Sequence, residues 1–119
     1  MDFQHKHTFV SRLAESARML AQYPSRVPLI VQAHPHTNAP PIDKAKYLVP
    51  RDLTLGQFLH CLRTRLKLHE SIALFLLVNG ELLPMSRLAG SVYETKSDPD
   101  GFLYVAYSTE SAFGAETVG

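Results

Sequence analysis

The sequence predicts a single α+β domain in which helices pack against one sheet. Two observations lead to this fold class. Apolar runs, helix caps and turn residues follow one another along the 119 residues in the order helix, strand, strand, helix, strand, short helix, strand. The length and an apolar fraction of 45% are enough for one modest core, which excludes wholesale disorder and a second domain.

The N-terminal helix is predicted from apolar residues that recur at helical spacing, with Thr8 as the N-cap. These residues are Phe9, Leu13, Ala17 and Leu20. The helix is expected to end at Tyr23-Pro24, because the residue before a proline disfavours the helical region.

The first two strands are predicted at residues 27–32 and 44–49, the second ending at Pro50. Residues 27–32 are apolar almost throughout, as expected when both faces of a sheet are covered. Residues 33–41 between them contain three prolines and two histidines and therefore indicate a loop.

The clearest helix begins at Thr54, which forms a capping box with Gln57. Its apolar residues lie in one stripe at about 100° per residue. They are Leu55, Phe58, Leu59, Leu62 and Leu66.

The C-terminal half is expected to add two strands. Residues 73–78 form a buried strand that ends in the turn Asn79-Gly80. Residues 82–94 form a long connection with a short helix, and a turn at residues 98–101 leads into a strand at 102–108. From residue 109 onward the side chains are small and polar, which predicts a disordered tail.

A hairpin, a long crossing helix and two further strands make a compact sheet with that helix across one face. This order predicts a β-grasp fold, a four-stranded mixed sheet with a crossing helix, and places the N-terminal helix on the other face. The predicted divisions are a helical extension at 1–26, the β-grasp core at 27–108 and a flexible tail at 109–119.

Composition excludes several functional classes. The formal net charge of +1 gives no reason to expect binding to nucleic acid, or binding to a membrane through a polybasic protein surface. The single cysteine, Cys61, excludes an intramolecular disulfide and suits a reducing compartment. No segment approaches the roughly 20 apolar residues that span a bilayer, and the N-terminus does not read as a secretory signal. Membrane attachment is therefore expected to come from a lipid or a partner.

Four strings of residues have a specific resemblance to a known family. They are Tyr23-Pro24-Ser25-Arg26-Val27-Pro28-Leu29-Ile30, Ile42-Asp43-Lys44-Ala45-Lys46-Tyr47-Leu48-Val49-Pro50, Phe75-Leu76-Leu77-Val78-Asn79-Gly80 and Asp100-Gly101-Phe102-Leu103-Tyr104-Val105. In this order and spacing they resemble the autophagy ubiquitin-like modifiers of the light chain 3 and GABARAP type, from about Phe9 to Gly114. The resemblance implies a ubiquitin-like β-grasp fold with an N-terminal helical extension.

The resemblance also implies a cycle in which the chain is a substrate and not an enzyme, and needs no cofactor. A family cysteine protease cuts after Gly114, which follows Phe113, and ubiquitin-like activating and conjugating enzymes pass that glycine to phosphatidylethanolamine. The lipidated form is expected on the autophagosomal membrane and the free form in the cytoplasm. Glycine suits such a terminus because it lacks Cβ and admits close backbone approach. Conjugation at Gly119 without trimming stays open, although no phenylalanine precedes it.

A peptide-binding site is expected along residues 44–49, which should lie at a sheet edge and accept an added strand. Alternation sends Lys46 and Leu48 to one face and Tyr47 and Val49 to the other. The resemblance implies cargo receptors with an aromatic-x-x-aliphatic motif. It assigns the aromatic pocket to Glu15, Met19, Pro28, Ile30, Lys46, Leu48 and Phe102. It assigns the aliphatic pocket to Tyr47, Val49, Pro50, Leu53, Phe58, Cys61, Leu62 and Arg65. Lys44 and Lys46 should attract acidic residues of the ligand.

Other residue patterns in the sequence give weaker predictions. Two histidine pairs, His5/His7 and His34/His36, supply too few ligands for a metal site. A thiol hydrolase at Cys61 lacks an evident base. The basic residues Arg63, Arg65 and Lys67 indicate either a solvated helix face or a docking surface for conjugation enzymes. Two functional alternatives stay open: a peptide-binding trafficking adaptor of the same fold without lipidation, and a modifier of protein lysines.

Overall fold

The computed structural model describes residues 2–110 of the chain. Four helices and five strands follow one another along these residues. They are α1 (Asp2–Lys6), α2 (Phe9–Gln22), β1 (Arg26–Ala33), β2 (Lys46–Pro50), α3 (Leu55–Leu66), β3 (Phe75–Val78), β4 (Glu81–Leu82), α4 (Ala89–Lys96) and β5 (Leu103–Ser108).

The strands form one mixed sheet in the order β2-β1-β5-β3-β4. β1 and β5 are parallel neighbours at its centre, and the other pairs are antiparallel. This is the β-grasp arrangement that the element order predicts. The predicted count of four strands was wrong by one, because the chain reverses at Asn79 (φ 52°) and Gly80 (φ 79°) and adds the two-residue strand β4. Both turn residues have positive φ, as tight hairpins require.

α3 begins as its sequence predicts. The Thr54 hydroxyl accepts a hydrogen bond from the Gln57 N–H at 3.1 Å, and the Gln57 side-chain oxygen accepts one from the Thr54 N–H at 2.9 Å. The helix packs four of its five predicted apolar residues fully into the core, while Leu59 is only partly buried. The core on this face of the sheet contains Val27, Leu29, Val31, Val49, Leu76, Val78, Leu103, Val105 and Tyr107.

α2 covers the opposite face as predicted, but most of its apolar series is exposed. Phe9 is 45% exposed and Leu13 is 42% exposed, whereas Ser16 is buried. The apolar spacing therefore located the helix correctly, but of its four residues only Leu20 packs against the core. The reason is a polar contact between α2 and the turn that precedes β5.

That contact is centred on Asp100, which is fully buried. Its carboxylate pairs with the Arg12 guanidinium (Nη1–Oδ2 2.6 Å) and accepts hydrogen bonds from the Tyr104 hydroxyl and the Phe102 N–H. The Ser16 hydroxyl donates to the Asp100 carbonyl at 2.6 Å. A buried carboxylate is stable only with such partners, so this network fixes α2 on the sheet.

α1 was missed in the sequence because it is only five residues long. Its one buried residue is Phe3, which packs with Ile30, Phe102 and Tyr104 on the α2 side of the sheet. The N-terminal extension is therefore two helices, not one.

Candidate peptide-binding site

β2 lies at one end of the strand order and presents an unpaired backbone edge. The Val31 N–H donates to the Ala45 carbonyl at 2.8 Å, and the Arg51 N–H donates to the Ser25 carbonyl at 3.0 Å. Because bonded and non-bonded pairs alternate in an antiparallel ladder, the residues at Lys46 and Leu48 direct their N–H and C=O groups away from β1. An extended peptide can bond to these groups as an added strand.

The side chains of β2 alternate between the two helical faces as predicted. The Lys46 ammonium pairs with Glu15 of α2. The Tyr47 ring packs edge-on against Phe58 of α3, with ring centroids 5.6 Å apart. A strand added to this edge would therefore direct alternate side chains towards α2 and towards α3.

The residues expected to line the aromatic pocket come together on the α2 face. Ile30 and Phe102 are fully buried, and Met19 packs against them. Pro28 is buried and lies opposite Leu48 across the β1–β2 ladder. Glu15, Met19, Lys46 and Leu48 are partly exposed and would form the rim of the expected pocket, and Lys46 pairs with Glu15.

The residues expected in the aliphatic pocket lie on the α3 face at different depths. Val49, Phe58 and Leu62 belong to the core and can form only a floor, with Leu53 and Tyr47 packed against them. Pro50 is partly buried at the end of β2, and Cys61 and Arg65 are exposed on the outer side of α3. The Lys44 ammonium lies 5.1 Å from the centre of the Tyr47 ring, on the approach to this side.

Two charged residues of the site were missed in the sequence. The Arg26 guanidinium donates to the Leu48 carbonyl at 3.2 Å and so covers one of the free groups on the edge. Asp43 pairs with Arg65 at 3.0 Å, which holds the arginine near the Tyr47 ring. Arg26 could have been found by aligning the two predicted strands as an antiparallel pair, because that alignment puts Arg26 opposite Pro50 at the end of β2.

Two residues that were predicted to belong to the flexible tail make defined contacts. Thr109 and Glu110 are held against the 33–41 loop: the Thr109 N–H donates to the Thr37 hydroxyl at 3.1 Å, and the Asn38 N–H donates to both Glu110 carboxylate oxygens at 3.3 Å. Burial would raise the pKa of the Glu110 carboxyl, but hydrogen bonds from Thr37, Asn38, Ser108 and Thr109 outweigh it and lower that pKa. Phe113 and Gly114 lie outside the described residues.

Comparison with known proteins decides the family. Residues 11–114 match the model of the family described as "Autophagy protein Atg8 ubiquitin like". The chain belongs to the Atg8 family. It is accordingly a ubiquitin-like protein of autophagy, as the resemblance implied.

Individual Atg8-family members match over nearly their whole length. The chain is 47% identical to Autophagy-related protein 8e of Arabidopsis thaliana over 116 residues, which cover 98% of this chain and 95% of the relative. It is 46% identical to Autophagy-related protein 8 of Mycosarcoma maydis over 112 residues, covering 94% and 95%. The crystal structure of Trypanosoma brucei ATG8 superposes with a TM-score of 0.88 at 38% identity, covering 91% of this chain and 93% of that one.

The metal, membrane and basic-cluster readings each concern side chains or helices that can be located in the described residues. Residues 2–110 contain no group of three or more histidine, cysteine, aspartate or glutamate side chains placed to hold a metal ion. Within the same range no helix is long and apolar enough to cross a bilayer. Arg63 is not simply a solvated residue of α3, since its guanidinium donates to the carbonyls of His69 and Ile72 at 3.2 and 2.5 Å.

Proposed function

We propose that the chain is a ubiquitin-like modifier of autophagy that is cut after Gly114 and joined through that glycine to phosphatidylethanolamine. On the autophagosomal membrane it acts as a scaffold and as a receptor for the aromatic-x-x-aliphatic motifs of cargo receptors, while the unconjugated form is cytoplasmic. This proposal rests on the membership of the chain in the Atg8 family. The free edge of β2 supports its peptide-binding part.

The conjugation half follows from the chemistry of a glycine terminus. A family cysteine protease adds water across the bond between Gly114 and Ala115 and releases the last five residues. The activating enzyme uses ATP to convert the new carboxylate into an acyl-adenylate with release of pyrophosphate. A cysteine thiol then displaces AMP, and the activating and conjugating enzymes carry the glycine as a thioester. The primary amine of the phospholipid displaces the thiol and forms an amide. Two acyl chains are the number that stable membrane anchoring requires.

The peptide-binding half follows from the geometry of β2. A ligand running parallel to β2 would place its aromatic residue beside Lys46, facing α2, and the aliphatic residue three positions later beside Val49, facing α3. The residue after the aromatic one would donate its N–H to the Lys46 carbonyl and accept from the Leu48 N–H. The reverse direction would bring the aliphatic residue beside position 43, away from Pro50 and Leu53, so the parallel direction is the one proposed.

Arg26 has a defined place in this scheme. The N–H of the aliphatic residue would bond to the Leu48 carbonyl, which the Arg26 guanidinium covers in the free protein. Binding therefore displaces Arg26 from the carbonyl and leaves its charge beside the ligand. Together with Lys44 and Lys46, this favours ligands with acidic residues around the motif.

The test is the intact mass of the protein recovered from cells under conditions that induce autophagy. Wild type is compared with Gly114→Ala and, as a matched control, Gly119→Ala. The proposal expects loss of residues 115–119 and gain of one phosphatidylethanolamine in wild type and in Gly119→Ala, with neither change in Gly114→Ala.

Other outcomes separate the alternatives. An unmodified full-length chain in every sample refutes lipidation and favours a soluble peptide-binding adaptor of the same fold, which needs only the β2 edge. A mass gain equal to another protein, absent in Gly114→Ala, identifies a modifier of lysines. If lipidation is lost only in Gly119→Ala, the last residue is the conjugation site.

A further inference from the structure

A half-open cleft of about 690 Å³ lies beside α1, at the end of the sheet where the parallel strands β1 and β5 finish together. Its lining is mostly apolar. α1 contributes Phe3, β1 contributes Val31 and Ala33, and β5 contributes Ala106 and Tyr107. The volume is in the range of pockets that bind small molecules, so the cleft has room for an aromatic side chain.

The chain leaves β5 beside this cleft. Glu110, the last described residue, accepts hydrogen bonds from Asn38 in the loop that follows β1. Pro35 and Pro41 of the same loop line the cleft. Phe113 follows Glu110 by three residues, which span at most about 10 Å. A tether this short gives the Phe113 ring an effective concentration on the order of millimolar at the cleft.

The cleft also contains an unpaired hydrogen-bond acceptor. Gln32 lines it, and the Gln32 Oε1 atom is buried without a hydrogen-bond partner among residues 2–110. Because a buried acceptor that stays unpaired costs free energy, a backbone N–H from a segment added here would be stabilising.

The polar residues around the cleft are mainly basic. They are Lys6 and two histidines, His5 and His7, with Asp2 as the one acid of the lining. The proposed cut after Gly114 creates a carboxylate one residue beyond Phe113. A ring held in the apolar part would bring this carboxylate to the basic side of the cleft, which is the favourable charge combination.

We propose that Phe113 docks in this cleft, and that the Gly114 carboxylate pairs with Lys6 once the chain has been cut. The second part rests on the proposed function, whereas the docking of the ring does not. A docked tail withholds Gly114 from the processing and activating enzymes, so only the fraction of molecules with a free tail reacts. Conjugation turns the carboxylate into a neutral amide, which removes the pairing with Lys6 and loosens the tail.

The first experiment places 4-fluorophenylalanine at position 113 of the full-length chain. The ¹⁹F shift difference between H₂O and D₂O measures the exposure of the ring, and a labelled peptide of residues 111–119 gives the value for a free tail. We expect a docked-to-free ratio on the order of ten, the factor that corresponds to burying an aromatic ring. A full-length chain with the same exposure as the peptide overturns the docking.

Two substitutions locate the site of docking. Ala33→Trp fills the cleft from an exposed position on its wall, so the ring should become as exposed as in the peptide. Ala14→Trp is the matched control, because Ala14 is also exposed but belongs to α2 and does not line the cleft; the ring should stay docked. A ring that remains buried in Ala33→Trp, or is released equally by both variants, overturns the assignment to this cleft.

A second measurement tests the carboxylate on a chain that ends at Gly114 and retains all of residues 2–110. Its docked-to-free ratio should exceed that of the full-length chain by about threefold, the size of an exposed ion pair, and the increase should diminish with salt. Lys6→Gln should abolish this increase, whereas Lys67→Gln, which removes an exposed lysine outside the cleft, should preserve it. An increase that survives Lys6→Gln, or no increase at all, overturns the pairing.

These measurements use neither protease nor lipid, so they fail independently of the proposed function. A chain that is lipidated in cells but has a fully exposed Phe113 ring keeps the proposed function and refutes tail docking. A chain that docks the ring but stays unmodified in cells supports docking and refutes the proposed conjugation.

Discussion

The turn at Gly101 tests how rigidly α2 is fixed to the sheet. Gly101 has φ +88°, and a Cβ added there would lie 2.1 Å from the Ser16 Oγ and 2.8 Å from its Cβ. Left-handed backbone costs a non-glycine residue about 1–2 kcal/mol, overpacking costs about 1–3 kcal/mol, and the hydrogen bond from Ser16 to the Asp100 carbonyl is worth about 1 kcal/mol. Gly101→Ala is therefore expected to lower the free energy of unfolding by about 4 kcal/mol.

Two variants separate the backbone strain from the clash. Gly80 has a similar φ of +79°, and an added Cβ there meets nothing within 4 Å, so Gly80→Ala should cost only the backbone part, about 1 kcal/mol. In a Ser16→Gly background, which removes both clashing atoms, Gly101→Ala should fall to the same cost. Urea unfolding followed by circular dichroism measures all of these. A Gly101→Ala cost within about 1 kcal/mol of the Gly80→Ala cost would refute a rigid contact between α2 and the turn.

Three further predictions concern the helix cap, the rim of the aromatic pocket and the start of the tail. Thr54→Ala removes one half of the capping box and should lower the free energy of unfolding by about 1 kcal/mol, measured by urea unfolding; Thr54→Ser should restore most of it. Lys46→Glu should weaken binding of an acidic aromatic-x-x-aliphatic peptide by at least about tenfold in fluorescence anisotropy and reduce the loss of affinity with salt, whereas a purely apolar pocket would show neither effect. Because hydrogen bonds lower the pKa of Glu110 in the folded protein, its carboxylate stabilises the fold at pH values above the ordinary pKa of a glutamate. This stabilisation is lost as the pH falls through the lowered pKa. NMR titration should show the Asn38 amide shift following that step, and Thr37→Val should move the pKa back towards its ordinary value.

The local signals in the sequence predicted local structure well. The capping box at Thr54 and the Asn79-Gly80 turn depend on residues within four positions of each other, and both formed as expected. The distribution of helices over the two faces of the sheet was also predicted, because strand alternation carries that information. The members of the two pockets came from the family resemblance, and their binding roles stay predictions.

Contacts between distant residues were not visible in the sequence. The ion pair between Arg12 and Asp100 joins residues 88 positions apart, and it turns α2 so that a serine, not the apolar stripe, faces the sheet. The Asn38–Glu110 contact spans 72 positions and retains two residues that composition alone assigned to the tail. Phe3 belongs to a helix that is too short to show a periodicity.

A strand edge that accepts a peptide also invites a second copy of the same chain, which is how sheets polymerise. Here the edge is protected by charge. Lys46 stands on it, Arg26 already covers the Leu48 carbonyl, and Pro50 ends it without an N–H to offer. Two β2 edges brought together would place basic side chains against basic side chains, whereas an acidic peptide meets the opposite charge. The residues proposed to favour acidic ligands would thus also keep many crowded copies from growing into a continuous sheet.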